Sequence, residues 1–340
     1  MSTGTTRDNA PAYLAKYEQR RAETAVSKAA PDVASSEPPF MERARQRATR
    51  RALAEMHTDV GPPGRTIAFA NETVAPRELQ MPDSLRQRTL TSVDIRLIRH
   101  GQTQGYISDG ALTPLGRWQA HRKGADLAKG IKEGMTVKFP HAPTARAKET
   151  AEGVRGGVLS SLSRYGIGDV VVEDPEPNKS FDNFQVYCDG KEMDVTAAFI
   201  EFVNIREGYN RFGAGDRPGW MVEMDRFFRI QQAGGDPITH WLNLPMQYFE
   251  PAALVVRRHW KGIIDMVKSS NADTKVYVCG HSGPIRAVAT SAVGHDPGEP
   301  HNTEDVRIRV FDDLEHASLN YRGRGLEIEI PTVITPSWYA

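Results

Sequence analysis

The amino-acid sequence predicts an α/β fold, a three-layer α/β/α sandwich around a mostly parallel central sheet. From residue 91 onward, short apolar segments typical of strands alternate with longer segments typical of helices, as in folds built on parallel sheets. The strand segments are also continuously apolar, which indicates a sheet covered by helices on both faces. We expect one main domain at 91–340 with an aromatic-rich insertion at about 176–250, and an extension at 1–90.

Composition narrows the class of protein. The chain has 340 residues, of which 39% are hydrophobic and 25% charged, ordinary values for a soluble globular protein. Lys+Arg and Asp+Glu both total 43, so no nucleic-acid or membrane partner is expected. Only two cysteines occur, neither in a CxxC motif, and no signal-peptide or membrane-spanning pattern is seen. Together these features predict a soluble, cytoplasmic protein.

The extension at 1–90 has few large apolar side chains. Such a segment buries too little surface to offset its ordering entropy, so we expect it to be partly helical or disordered. An arginine-rich stretch at 39–57 has a thin apolar stripe at helical spacing. It is either a solvated helix face or an arm that docks on a partner, which leaves a homo-oligomer open.

The elements of the main domain follow from local patterns. Thr113-Pro114 is a typical helix start, with Thr113 as N-cap and Pro114 at the first helical position. The insertion combines turn residues with many aromatics, and we expect it to pack over the main domain and its active site. Strands are predicted at 93–98, 135–140, 169–173, 275–279, 316–321 and 326–330, and helices at 114–128, 145–163 and 251–269, with another opening at Pro284.

Chemistry-bearing residues cluster where strands end. Arg99-His100-Gly101 follows the first strand, and Gly280-His281-Ser282-Gly283 follows the fourth. Ligands of open α/β sheets bind at the carboxyl ends of strands, so we expect the two histidines to face each other across one crevice. Arg146 follows the second strand and can reach the same crevice.

Two guanidinium groups, two imidazoles and a helix N-terminus form a site for a tetrahedral anion. Arginine forks bind phosphate oxygens in pairs, and free amides at a helix start suit an anion. A neutral imidazole can act as a nucleophile on phosphorus. The sequence contains no apparent metal-ligand cluster, so the arginines are expected to neutralise the phosphate without a metal or other cofactor.

The pattern of motifs resembles the histidine phosphatase superfamily, also called the phosphoglycerate mutase-like family. The first match is Leu97 to Thr103, which reads LIRHGQT. Four more follow in the family's order, at 112–120, 143–151, 280–286 and 316–319. The resemblance covers about residues 91–175 and 251–330. It does not extend to the N-terminal segment or the insertion.

The resemblance implies a role for each matched residue. His100 is the expected nucleophile that accepts the phosphoryl group. Arg99, Arg146 and His281 are expected to hold the phosphate oxygens, together with the backbone N–H of Ser282. Thr103 is expected to contact the phosphate or to position its loop.

The general acid is less well defined by the sequence. Members of the family often carry a Glu just after the third strand, in an LxExxxG setting. Glu176 is the best positional match in this chain, and Glu173, Asp174 and Asp182 are the alternatives.

Three functions are compatible with these residues. The first is a metal-independent phosphomonoesterase that acts on a phosphorylated small metabolite through a phosphohistidine on His100. A phosphomutase that uses the same intermediate and a catalytically weak phosphate-binding or scaffold module are the alternatives. Residues 176–200 lack the basic and aromatic segment of the family's mutases, which favours hydrolysis. The aromatic insertion favours a bulky or ring-bearing substrate.

Overall fold

The structure is a computed structural model that describes residues 89–104, 110–209, 217–270 and 273–331. The predicted extension at 1–90 lies outside the described residues except for its last two positions. No helix among the described residues is long and apolar enough to cross a membrane.

The described strands are β1 (Asp94–Arg99), β2 (Thr136–His141), β3 (Val171–Pro177), β4 (Gln185–Cys188), β5 (Lys191–Asp194), β6 (Thr274–Gly280), β7 (Asp305–Val310), β8 (His316–Tyr321) and β9 (Arg324–Glu329). The described helices are α1 (Pro114–Ala128), α2 (Ala145–Tyr165), α3 (Val195–Tyr209), α4 (Gly219–Gln232), α5 (Pro237–Asn243), α6 (Ala252–Ser269) and α7 (Ser282–Val293). The Thr113 side chain caps α1 by accepting from the Gly116 amide, as predicted.

Seven strands form the central sheet in the order β3-β2-β6-β1-β7-β8-β9. The first four are parallel, and β7, β8 and β9 continue the sheet as antiparallel strands. The α/β prediction is therefore confirmed, with a mixed sheet whose parallel half carries the predicted site. Strand β7 was not predicted from the sequence, nor was the separate β4–β5 hairpin in the insertion.

The sheet is covered on both faces. Ile98, Phe139 and Cys279 point into a buried cluster with α1 and α2. Leu97 and Val278 point to the other face, into a cluster with α6 and α7. Because successive side chains of a strand alternate between faces, these continuously apolar strands supply both layers.

Strand β3 is longer than predicted. It runs to Pro177, whereas the sequence pattern ended at residue 173. Its two prolines are tolerated because β3 is an edge strand, where a missing N–H does not break a ladder. This extension matters for the site, since it places Glu176 within a strand.

The insertion packs into the larger of the two cores. The Phe184 ring stacks on Trp241 with centroids 4.2 Å apart, and both belong to the buried cluster that contains Leu97 and Val278. Most aromatics of the insertion are therefore core residues. A few, among them Phe199 and Phe228, line a cavity that also contains His100.

Candidate active site

The register of the central strands brings the two histidines together. Arg99 of β1 lies opposite Gly280 of β6, so the next residue of each strand, His100 and His281, leaves the sheet at the same point. Their rings meet edge to face with centroids 5.5 Å apart. The expectation that both face one crevice is met by the structure.

The proton on His100 can be placed from its hydrogen bond. Nδ1 lies 2.8 Å from the Gly101 carbonyl oxygen, and because a carbonyl only accepts, Nδ1 must carry the hydrogen. The Nε2 lone pair is therefore free for attack. Burial, with smaller contributions from Arg146 and Arg99, lowers the pKa of His100 to about 3. The ring is neutral over the physiological range, as a nucleophile requires.

His281 carries its proton on the other nitrogen. Its Nδ1 accepts from Arg146 Nε at 3.2 Å, so Nε2 holds the hydrogen and lies 3.4 Å from Thr144 Oγ1. Burial lowers the pKa of His281 well below its usual value, and the neighbouring Arg146 and His100 add to this shift. His281 is thus a neutral hydrogen-bond donor beside His100.

Arg146 lies in the first turn of α2 with its side chain buried. Besides His281, its guanidinium bonds Thr196 Oγ1 at 3.4 Å and lies 3.9 Å from the Asp194 carboxylate. It is therefore held rigidly at the cavity wall, which suits a group that binds an anion in a set geometry.

Arg99 is paired with a carboxylate that the sequence did not single out. Its Nη2 lies 3.1 Å from Glu299, its Nη1 donates to the Pro300 carbonyl, and its Nε is buried without a hydrogen-bond partner in the described part of the chain. Glu299 lies in the loop between α7 and β7 and lines the cavity. Its carboxylate occupies one edge of a guanidinium expected to bind phosphate.

The other motif residues hold the His100 loop. The Gly101 amide donates to Thr150 Oγ1 at 3.1 Å, and the Gln102 amide donates to Gln119 Oε1 at 3.0 Å. A Cβ on Gly116 would lie 2.2 Å from the Gln102 carbonyl oxygen, so only glycine allows α1 to approach this loop. These positions lie within the motifs that carry the family resemblance, and in the structure they hold the loop that follows His100.

The cavity has a volume of about 540 Å³ and is lined by both charged and apolar side chains. Arg99, His100, Thr103, Arg146, His281 and Ser282 all line it, so the predicted phosphate ligands converge. Ser282 and Gly283 begin α7, where the first amides of a helix have no carbonyl partner within it. The remaining wall comes largely from the insertion.

The structure does not place Glu176 in the cavity. Glu176 is exposed on edge strand β3, opposite Pro140 of β2. Its assignment as the general acid is therefore not supported. Asp174 is also exposed and pairs with Arg155, and Glu173 lies 3.8 Å from Lys138.

After β3, the first residue that lines the cavity is Asn183, an amide that is not a proton donor of the carboxylic kind. Its neighbour Asp182 is partly buried and does not line the cavity. Burial, with Asp194 nearby, raises the pKa of Asp182.

Two carboxylates do line the cavity, Glu299 and Asp236. Asp236 is occupied elsewhere, because it caps α5 and binds the buried Arg286 at 2.6 Å. The ion pairs of Glu299 are longer than that of Asp236, at 3.6 Å to Arg286 and 3.1 Å to Arg99. No local sequence signal marks Glu299. Its loop is held by Arg322, which donates to the carbonyls of Pro297 and Glu299.

Comparisons with known proteins give similarities at low identity. No protein-family model matches the chain, and no curated protein does. Among solved structures, YhfR of Bacillus stearothermophilus is 18% identical, with 71% of this chain and 98% of that chain covered and a TM-score of 0.40. A mycobacterial glucosyl-3-phosphoglycerate phosphatase is 18% identical, with 67% and 97% covered and a TM-score of 0.39.

A phosphoglycerate mutase from Bacillus anthracis is 17% identical, with 70% of this chain and 92% of that chain covered and a TM-score of 0.36. The chain is thus similar, at low identity, to solved structures that include both a phosphatase and a phosphoglycerate mutase.

Proposed function

We propose that this protein is a phosphomonoesterase of the histidine phosphatase superfamily that works through a phosphohistidine on His100 and needs no metal. The observation that carries the proposal is the pair of neutral imidazoles at the ends of β1 and β6. His100 has its Nε2 lone pair free, and His281 is held as a donor by Arg146.

The reaction has two balanced steps. In the first, His100 Nε2 attacks phosphorus, the N–P bond forms, and the ester P–O bond breaks. The departing oxygen takes a proton from a carboxylic acid. In the second, water attacks the phosphohistidine, the N–P bond breaks, and the proton of water passes to the same carboxylate. The guanidinium groups of Arg99 and Arg146 and the amides at the start of α7 stabilise the charge on the phosphoryl oxygens.

Glu299 is the proposed acid. Its present partner, Arg99, is also a proposed phosphate ligand. Arg286, its second neighbour, already pairs with Asp236 and Asp296. When a phosphoryl group takes the Arg99 fork, Glu299 loses that cation and faces a new anion.

The test is hydrolysis of p-nitrophenyl phosphate in EDTA, with acid-labile phosphate on the protein measured after rapid quench. We expect turnover and labelling in wild type and a loss of both by roughly 1,000-fold or more in His100→Ala, which removes the nucleophile. His121→Ala is the matched control, because His121 is exposed on α1.

Each alternative gives a different result. Activity that disappears in EDTA would overturn the metal-free proposal. A labelled protein that passes its phosphate to an added phosphate acceptor in preference to water would be the phosphomutase. Tight phosphate binding without labelling or turnover would be the binding module.

A further inference from the structure

Much of the cavity lining is apolar. Phe199 and Phe228 lie against each other there with ring centroids 4.8 Å apart, and Gln231 adds one amide. The apolar lining residues contributed by the helices of the insertion are Val195, Phe199, Met224, Phe227, Phe228, Pro237 and Ile238. All belong to the insertion, and all come from α3, α4 and α5 or their ends.

In the described part of the chain, the ionic groups that line the cavity are two arginines and two carboxylates. Arg99 and Arg146 are the cations that line it among the described residues, and both lie beside the histidines. The other ionic lining groups are the carboxylates Glu299 and Asp236. Among the described lining residues, a second anionic group on a substrate would find only the two arginines expected to hold the phosphate, and otherwise carboxylates and phenyl rings, at a desolvation cost with no further compensating charge.

From these two observations we propose that the substrate is a phosphate monoester of an uncharged alcohol that carries a ring system, with the ring packed against Phe199 and Phe228. This rests on the proposed phosphatase function. Phenyl rings receive another ring edge-to-face or offset-stacked, and a cavity of this kind orients its ligand by a few polar groups at one end. A phosphorylated sugar acid, with its extra carboxylate, is disfavoured by the same lining.

Binding measured without turnover tests the proposal directly. We would titrate the full chain by calorimetry with two non-hydrolysable phosphonates, naphthalen-2-ylmethylphosphonate and benzylphosphonate. Because the second ring buries additional apolar surface, the naphthyl compound should bind about 10-fold tighter. A naphthyl phosphonate with a carboxylate at the far end of the ring should lose that advantage.

The variants locate the effect. Phe199→Leu and Phe228→Leu, each preserving an apolar core position, should reduce the naphthyl advantage to about threefold or less while benzylphosphonate binding stays within twofold, since a leucine offers less ring contact. Val222→Ala is the control, because Val222 is exposed on α4 and lies outside the cavity lining. Equal affinity for both phosphonates in wild type, or an advantage that survives both leucine variants, would overturn the proposal.

Hydrolysis assays distinguish the proposed ring-binding site from the proposed phosphatase activity. Phenyl and 2-naphthyl phosphates have leaving groups of similar acidity, so their relative kcat/KM values should follow the phosphonate affinities. Ring-selective phosphonate binding with no hydrolysis of either ester would refute the phosphatase and keep the ring site. Hydrolysis of both esters at equal kcat/KM would keep the phosphatase and refute the ring site.

Discussion

At the scale of single residues, the pairing of Arg99 with Glu299 links two proposed roles, phosphate binding and proton donation, that the sequence analysis assigned separately. The guanidinium proposed to bind phosphate is held, in this structure, by the carboxylate proposed to protonate the leaving group. In the proposed mechanism, substrate binding and proton availability are coupled through this one arginine. Glu299 also lines the cavity that contains His100.

Glu299→Gln tests this assignment through the leaving group. Removing a general acid costs roughly 100- to 10,000-fold when the leaving group is a poor one, such as an alkyl alcohol. It costs little with p-nitrophenol, which departs without a proton. We therefore expect kcat/KM for an alkyl phosphate to fall by that amount while p-nitrophenyl phosphate turnover changes by less than about tenfold.

Two further variants complete the comparison. Glu176→Gln removes the acid expected from the sequence, and it should behave as wild type because Glu176 is exposed on β3, away from the cavity. Asp182→Asn tests the partly buried carboxyl with a raised pKa. If the leaving-group effect appears in Asp182→Asn and not in Glu299→Gln, the acid is Asp182.

At the scale of elements, α1 and α2 pack so closely that glycine backbones form their interface. A Cβ on Gly157 would lie 2.0 Å from the His121 carbonyl oxygen, and one on Gly124 would lie 2.0 Å from the Val154 carbonyl oxygen. The same helix α1 carries Gln119, whose side chain accepts from the Gln102 amide two residues after His100. Helix packing and the site geometry are thus linked.

Adjacent glycines of α2 should respond to alanine in opposite directions. Gly156→Ala meets only the His121 ring at 3.8 Å, so the gain in helix propensity should raise the free energy of unfolding by up to about 1 kcal/mol. Gly157→Ala forces the helices apart and should lower it by about 1–3 kcal/mol. Urea unfolding of the two variants beside wild type measures both, and a stabilised Gly157→Ala would contradict the close contact.

At the scale of the whole molecule, three neutral histidines make folding sensitive to acid. Burial lowers the pKa of His259 to about 3, with a smaller contribution from Arg258, and His100 and His281 are shifted in the same direction. Each binds a proton near pH 6.5 when the chain unfolds and remains neutral while it is folded. Below pH 6.5 the unfolded state therefore holds more protons, and stability falls as the pH falls.

The expected loss is roughly 1.4 kcal/mol per pH unit for each such histidine once the pH lies well below 6.5. Asp94 and Asp236, whose pKa values lie below 3.8, add their own losses only at lower pH. Unfolding by urea between pH 7 and pH 5 measures the slope. His259→Phe should reduce this slope by the contribution of one histidine, roughly 1.4 kcal/mol per pH unit. An unchanged slope in that variant would show that His259 is protonated in the folded protein.

The sequence by itself predicted the α/β fold and that four side chains would meet at one cavity. His100 and His281 could be placed because local apolar runs end at them, and the carboxyl ends of neighbouring parallel strands meet at one edge of a sheet. Arg99 and Arg146 followed from the same rule. Strand β7 was missed, and β3 ended too early in the prediction, because its prolines read as a loop where an edge strand tolerates them.

The tertiary structure alone decided which carboxylates line the cavity and which residues form the rest of its wall. Glu299 reaches Arg99 across a sequence separation of 200 residues, through a loop held by Arg322 of the β8–β9 turn. The ring-lined wall likewise depends on how α3 and α4 pack against each other and against the β4–β5 hairpin. Local patterns determine elements through short-range backbone preferences and periodicity, whereas these contacts arise from long-range packing, which leaves no signature in neighbouring residues.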